Sequence, residues 1–312
     1  MPQCRTALLV DRGLVEVAGS DATDFLQGLV TNDVDHEQEG EALFAGLLTP
    51  QGKILCDFFV IRREAKVYWL ECARAQAGDL VKRLTMYKLR AKITVADRSG
   101  EFAIAASWGA EGASGVSAIP ALAASVVSYA DPRFAPLGWR HILPATDAAS
   151  FSENAGAAAA DEAAYHAHRI GLFVPQGGVD YIYGESFPHE SGYDSLNGVD
   201  FEKGCYVGQE VVSRMHHRGT AKTRIAGVEL AAPLAAHAEA DVDTDASALE
   251  IRAADLPVGV LCSRDGTHAI ATVRVDRAEE ALQQGIPLQT GDVALTLRQP
   301  AWAQYRVPVS AE

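Results

Sequence analysis

A cysteine between a lysine and two glycines stands in the densest group of potentially reactive residues in this sequence. Residues 201–210 read FEKGCYVGQE, and apolar residues spaced as on one helix face follow Gly208. A thiol just before a helix N-terminus, with Lys203 two residues away, is stabilised as the thiolate and gains reactivity. This pattern predicts a reactive Cys205. The alternative is a buried structural cysteine, which the spacing leaves open.

Two segments carry local positive charge in an acidic chain. The whole chain has 27 Lys and Arg against 41 Asp and Glu, for a net charge of −14. Residues 203–224 hold five cations against one carboxylate, and residues 82–98 hold six against one. Such segments are able to bind a folate polyglutamate tail or an RNA backbone, or they are solvated faces that balance acidic neighbours. The overall charge excludes non-specific nucleic-acid binding through bulk charge.

Other sequence signals of chemistry are absent. Neither an HExxH motif nor a GxSxG, P-loop or GxGxxG motif occurs, so zinc protease, hydrolase, NTPase and Rossmann interpretations lack support. The nine histidines predict no metal site, because His166 and His168 diverge on a helix. Five cysteines without a CxxC pair argue against a disulfide framework and indicate a reducing compartment.

The elements that position these residues are short strands with few helices. The apolar runs 43–48 and 54–61 flank a Pro- and Gly-containing turn and predict a hairpin. Leu80, Leu84 and Tyr87 recur at helical spacing. With so few helices the sequence predicts an α+β fold rather than a doubly wound sheet, and its 312 residues suggest two domains.

The C-terminal quarter differs from the rest of the chain in its residue pattern. Short β runs within 224–298 predict a small barrel, and the acidic stretch 239–255 between them is expected to be a dispensable surface loop. No apolar run is long enough to span a bilayer, so we expect no membrane association. The first apolar run, 7–10, is too short for a secretory signal, which predicts a cytoplasmic protein of bacterial type.

The motif resembles a known family. Residues 203–210 match the KGCYxGQE signature of the YgfZ-type folate-binding proteins, which include mitochondrial iron–sulfur assembly factors. RIG at 169–171, PQGGVD at 175–180, PHE at 188–190 and RG at 218–219 follow in the family's order. FLQGLVTNDV at 25–34 and GKI at 52–54 resemble the opening shared with glycine-cleavage T-proteins. The resemblance covers roughly residues 6–298.

This resemblance implies an aminomethyltransferase-like fold, with a folate-binding domain at 1–222 and a C-terminal β-barrel domain at 223–312. It implies tetrahydrofolate as the cofactor and a role in assembling or repairing iron–sulfur clusters, including those of tRNA-modifying enzymes. Cys205 and Lys203 match the family's functional pair. The residues expected to contact the folate are Asn32, Arg169, Asp180, Glu190, Tyr206, Gln209 and Arg218.

Two departures from the T-protein pattern argue against a working aminomethyltransferase. Gly138-Trp139-Arg140 occupies the stretch where those enzymes place a pterin-binding carboxylate, and YWLEC at 68–72 differs from the transferase pattern. The leading hypothesis is therefore a folate-dependent monomer that serves iron–sulfur proteins, their assembly machinery and tRNA-modifying enzymes. The alternatives are a folate-dependent one-carbon transferase or demethylase, and an RNA-contacting accessory factor for tRNA modification.

Overall fold

The described residues form two compact units. A computed structural model describes residues 4–35, 41–109, 125–219, 221–234 and 249–309. The first unit comprises Met1–His166 with Leu196–Val211, and the second comprises Ala167–Ser195 with Val212–Glu312. This division places residues 167–195 outside the first unit, whereas the predicted domain 1–222 includes them. The predicted domain limits, 1–222 and 223–312, stay a prediction.

The first unit contains two five-stranded sheets. Their orders are β3-β4-β5-β2-β6 and β10-β1-β7-β9-β8. Its elements are β1 (Arg5–Leu8), β2 (Arg12–Ala18), α1 (Ala22–Gln27), β3 (Ala42–Leu48), β4 (Ile54–Glu64), β5 (Val67–Ala73), α2 (Arg74–Tyr87), β6 (Thr94–Asp97), β7 (Phe102–Trp108), β8 (Val127–Ala130), β9 (Trp139–Pro144), α3 (Phe151–Asn154) and β10 (Ala158–Ala159).

The local sequence signals in this unit are confirmed. Strands β3 and β4 pair antiparallel across the predicted turn. Helix α2 buries Ala77, Leu80 and Leu84 against the first sheet, with Tyr87 half-buried beside them. The spacing of these residues places them on one helix face, so their burial provides most of the stability of α2.

The second unit contains a closed barrel with strand order β11-β14-β13-β12-β15-β16. Its elements are β11 (Thr223–Leu230), β12 (Glu250–Ala253), β13 (Leu256–Asp265), β14 (His268–Arg274), α6 (Val275–Gln283), β15 (Leu288–Thr290) and β16 (Val293–Arg298). Two helices, α4 (Glu162–Gly171) and α5 (Gln209–Arg218), each contain a unit boundary. Among the described helices, none has the length and apolar character needed to cross a membrane.

One barrel prediction needs correction. The acidic stretch 239–255 was expected to be a surface loop throughout, and its residues up to 248 lie outside the described residues. Its last part forms β12, which pairs with both β13 and β15. Ile251 and Ala253 point into the barrel core, and the surrounding carboxylates masked this alternation in the sequence. Shortening the stretch through residue 255 would remove a barrel strand.

A buried histidine makes the stability of the first unit depend on pH. His141, on β9, has no solvent exposure, and its two ring nitrogens lie 2.9 Å from Ser107 Oγ and 2.8 Å from Ser128 Oγ. Burial lowers its pKa from 6.5 to about 4, because the protonated ring would lose its hydration.

Acidification is therefore expected to lower the free energy of unfolding between pH 6.5 and 4. In that window the unfolded chain binds a proton that folded His141 does not, so the free energy falls by up to about 1.4 kcal/mol per pH unit. Urea titrations at pH 7.5, 6 and 5 measure the slope. His141→Gln should reduce the slope but not remove it, because burial also lowers the pKa of His189 to about 4. Exposed His268→Gln should leave the slope unchanged. Equal slopes in all three proteins would contradict this assignment.

Candidate functional site

Cys205 is the exposed cysteine of the chain. Cys56 and Cys72 are buried, Cys4 and Cys262 are half-buried, and all five are free thiols. Burial raises the pKa of each of these four thiols, to about 12 for Cys72 and Cys262, and so keeps them protonated. The thiol most accessible to solvent is therefore that of Cys205. Cys205 lies four residues before the start of α5, in a loop that we call the motif loop (residues 201–208).

Lys203 anchors the motif loop to the first unit. Its side chain is buried, and Nζ donates hydrogen bonds to the carbonyl oxygens of Gln27 (2.9 Å), Val30 (2.8 Å) and Asn32 (2.7 Å). Burial lowers its pKa to about 8, so at neutral pH it remains the ammonium that these carbonyls accept from. The predicted role of Lys203, a charge beside the thiol, stays a prediction. Its bonds position the loop.

The segment that receives Lys203 is itself cross-linked. Asn32 Nδ2 donates to Phe44 O (2.9 Å) and Asn197 O (2.7 Å), while its Oδ1 accepts from Asp33 N. Thr31 Oγ1 donates to Gly198 O and accepts from Gly46 N. Residues 31–32 therefore join β3 to the chain that leads into the motif loop. The side chain of Asn32, a predicted folate contact, is used in this junction.

Tyr206 and Gly208 set the end of the motif loop. Tyr206 is buried, and the Lys203 ammonium lies 5.2 Å from its ring centroid. Gly208 has φ +84°, and a Cβ there would lie 2.5 Å from Thr49 O, so only glycine fits against the hairpin turn. A Cβ at Gly204 would meet open space. Gln209, half-buried, begins α5.

The remaining predicted folate contacts belong to the second unit. Arg169 Nη1 donates to Asp180 Oδ2 and Val174 O, both at 2.7 Å, and Asp180 also accepts from the Gln176 and Ser263 amides. Both charged residues are buried, so this pair fixes the loop after α4 onto β13. Glu190 is half-buried, and exposed Arg218 ends α5.

The predicted residues fit tetrahydrofolate in part. A folate ring needs hydrogen-bond acceptors, and its glutamate tail needs cations. Asn32 and Asp180 make their side-chain hydrogen bonds within the chain, and Arg169 does so through both Nη atoms, whereas the buried Nε of Arg169 has no hydrogen-bond partner among the described residues. In the first unit, Tyr206 and Gln209 carry groups of this kind.

Sequence reasoning missed a buried ion cluster in the first unit. Glu71 and Asp131 are enclosed by three arginines, and none of the five residues is more than 8% exposed. Glu71 Oε1 accepts from Arg12 and Arg140, and its Oε2 accepts from the Tyr129 hydroxyl. Its members, which we call the arginine cluster, are Arg12, Glu71, Asp131, Arg133 and Arg140.

The second carboxylate of the arginine cluster is equally saturated. Asp131 Oδ1 accepts from Arg133 Nε, and its Oδ2 accepts from Arg133 Nη2 (2.7 Å) and Arg140 Nε (3.0 Å). These arginines hold the pKa of Asp131 at about 2. Phe59 underlies the cluster, with Arg140 Cζ 4.4 Å from its ring centroid. Arg140 therefore has a packing role within the chain, and neither carboxylate offers an oxygen without a donor.

A second cluster joins the N-terminal turn to α4. Asp11 N donates to Glu162 Oε1 (2.9 Å), and His166 Nε2 lies 3.7 Å from Asp11 Oδ2. One ligand atom from each residue lies within 4.8 Å of the others, a spacing compatible with a metal ion. Sequence reasoning had no signal for this cluster, because Asp11 lies 151 residues before Glu162. These internal contacts account for the cluster, and we assign it no metal.

Two family models match this chain. Residues 11–134 match the GCVT N-terminal domain, and residues 222–305 match the CAF17 C-terminal beta-barrel domain. The solved structure of glycine cleavage system aminomethyltransferase T from Bartonella henselae superimposes with a TM-score of 0.73 and 16% identity, covering 98% of this chain and 88% of that chain. At that identity the likeness concerns the fold. The predicted α+β, aminomethyltransferase-like fold with a C-terminal barrel is confirmed.

Curated relatives share about a third of their residues with the chain. The iron-sulfur cluster assembly factor IBA57 homolog, mitochondrial, of Mycosarcoma maydis is 34% identical over 71% of this chain and 56% of its own length. The corresponding Homo sapiens protein is 33% identical over 72% of this chain and 65% of its own. The chain thus matches less than two thirds of each. Their mitochondrial names contradict the predicted bacterial-type cytoplasmic location, which was wrong. The chain carries a GCVT-type domain and a CAF17-type barrel and belongs to the YgfZ-like family that includes the IBA57 proteins.

Proposed function

We propose that this chain supports the assembly or repair of iron–sulfur clusters, with Cys205 as a transient ligand to cluster iron. The exposed thiol of Cys205, on a loop anchored by the buried Lys203, carries the proposal. Thiolates are the usual protein ligands of iron–sulfur clusters. The relatives named as iron–sulfur cluster assembly factors support the same assignment.

A single exposed thiol defines what kind of step the chain performs. A [2Fe–2S] or [4Fe–4S] cluster needs four protein ligands. Among the five cysteines Cys205 alone is exposed, since Cys56 and Cys72 are buried and Cys4 and Cys262 are half-buried. The remaining ligands therefore come from a donor or client protein, and the Cys205 thiolate takes the place of a single one of them during transfer. Fixing the loop through Lys203 lowers the entropy cost of presenting the thiol.

Complementation tests this proposal. A strain lacking its own member of the family is supplied with the wild-type chain, and two cluster-dependent enzymes are assayed beside one enzyme without a cluster. We expect recovery of the cluster-dependent activities alone. The modified nucleosides made by cluster-containing tRNA-modifying enzymes provide a further readout, because we propose these enzymes among the clients. Failure to restore any cluster-dependent activity would contradict the proposal.

We also propose that the chain binds tetrahydrofolate, supported by its GCVT-type domain and by the polar side chain of Gln209 in the first unit. Bound tetrahydrofolate would supply a carrier of one-carbon units. Calorimetry with the full chain should give saturable binding that weakens several-fold in Gln209→Ala, because a hydrogen bond is worth about 1 kcal/mol. Exposed Gln283→Ala is the matched control. Absence of heat with both mono- and polyglutamate forms would refute binding, whereas turnover of the folate would favour the transferase alternative.

A further inference from the structure

Two large apolar side chains are exposed where α2 ends. Met86 is 63% exposed and Leu89 is 88% exposed, although the opposite face of α2 is buried in the core. Exposed cations surround them. We call this surface the α2 patch, and its members are Lys82, Met86, Leu89, Arg90 and Lys92.

The backbone at Leu89 makes its side chain costly for the fold. Leu89 has φ +43°, in the left-handed region that glycine and asparagine adopt more readily than leucine. A side chain that remains 88% exposed gains almost nothing from packing in return. The fold alone therefore gives no reason for a leucine at this position, whereas an apolar contact with a partner would.

The segment around these side chains is positively charged, whereas the molecule as a whole is negatively charged. The segment 82–98 holds six cations against one carboxylate in a chain of net charge −14. Lys82 pairs with Asp79, Lys88 donates to Ile93 O, and Arg98 pairs with Glu16 and Glu101. Arg90 and Lys92 remain at the exposed turn beside Leu89. The patch therefore complements a surface that is acidic with an apolar centre.

We propose that the α2 patch is the docking site for an acidic, amphipathic surface of a partner protein, the donor or client of the cluster. This partner rests on the proposed function. A protein partner suits the patch better than RNA because its exposed side chains include no aromatic ring for base stacking. It also suits the patch better than a membrane, since two apolar side chains form too small a face for interfacial insertion.

The test uses two variants that the fold should tolerate. Leu89→Asn places a residue suited to left-handed backbone at an exposed site, and Met86→Gln keeps a good helix former. Their unfolding midpoints should not fall below wild type. Exposed Val10→Thr, in the same unit and outside the patch, is the matched control.

Binding is measured with a defined peptide. The probe is a fluorescent 20-residue helical peptide with leucines on one face flanked by glutamates, and its comparison peptide carries glutamine in place of glutamate. We expect anisotropy to show binding of the acidic peptide that weakens with salt and falls about tenfold in Leu89→Asn, the effect of losing one buried aliphatic side chain. The glutamine peptide should bind more weakly than the acidic peptide, because it lacks the carboxylates. Val10→Thr should bind the acidic peptide as tightly as wild type does.

Several outcomes would overturn the docking site. Equal peptide affinity in wild type and Leu89→Asn would do so, as would tighter binding of a single-stranded RNA or of phosphatidylserine vesicles than of the acidic peptide. Complementation separates this proposal from the proposed function. If wild type restores cluster-dependent enzymes and Leu89→Asn restores them equally, the docking site fails alone. If the wild-type chain restores no cluster-dependent enzyme, the proposed function fails. The peptide assay still tests whether the α2 patch is a docking site.

Discussion

Replacing Cys205 by serine is expected to abolish support of cluster-dependent enzymes while leaving the free energy of unfolding within about 0.5 kcal/mol of wild type. The side chain is exposed, so the nearly isosteric hydroxyl creates no cavity and removes no packing. Serine is a poor ligand for cluster iron, because the soft thiolate is what iron–sulfur clusters bind. Complementation and a urea melt of the purified variant measure the two effects.

Alkylation provides the control for this prediction. At neutral pH, iodoacetamide should modify Cys205 before the other four cysteines, whose full or partial burial raises their thiol pKa values and reduces access. The matched variant is half-buried Cys262→Ser, which should complement normally. If Cys205→Ser complements as well as wild type and the folded chain resists alkylation there, Cys205 is a packing residue and the proposed function loses its ligand.

The parts of the fold that follow from local patterns were accessible to sequence reasoning. The β3–β4 hairpin, the buried face of α2 and the barrel strands are each set by residues close in the chain, so turn residues and periodicity predict them. Strand β12 was missed because its alternation lies among carboxylates. The motif residues were identified from the sequence, but the sequence did not predict which of them are exposed and which are buried.

The roles of charged residues depend on partners far along the chain. Lys203 bonds to carbonyls some 170 residues earlier, and Glu71 binds arginines that lie 59 residues before it and 69 after it. Sequence periodicity does not predict pairs so far apart in the chain. The prediction for Lys203 therefore rested on its nearness in sequence to Cys205. One signal for the arginine cluster was available: a lone carboxylate inside the apolar strand β5 requires a buried cationic partner.

The arginine cluster and the motif loop are connected through hydrogen bonds within the first unit. Pro132, between Asp131 and Arg133, accepts at its carbonyl from Asn197 Nδ2 (2.9 Å). The Asn197 carbonyl in turn accepts from Asn32 Nδ2, and the Asn32 carbonyl accepts from Lys203 Nζ. The cluster therefore supports the segment on which the Cys205 loop is anchored.

Glu71→Gln is expected to lower the free energy of unfolding by about 3–5 kcal/mol, because removing one partner leaves buried charge uncompensated. Glu71 is fully buried, and Arg12 and Arg140 both donate to its carboxylate. Without that negative charge the two guanidinium groups would repel each other. Urea denaturation measures the change. The matched control is Glu101→Gln, whose carboxylate pairs with Arg98 at 59% exposure and should cost less than about 1 kcal/mol.

The variant also tests whether the cluster is structural or part of the site. Where Glu71→Gln remains folded, its Cys205 should react with iodoacetamide at the wild-type rate, and complementation should fall only in proportion to the folded fraction. If Glu71→Gln fails to fold at 25 °C, Arg12→Lys, which keeps the charge and loses one donor arm, gives a smaller shift of the same sign. A Glu71→Gln protein as stable as Glu101→Gln would show that the buried charges are compensated elsewhere and that the arginine cluster does not hold the first unit together.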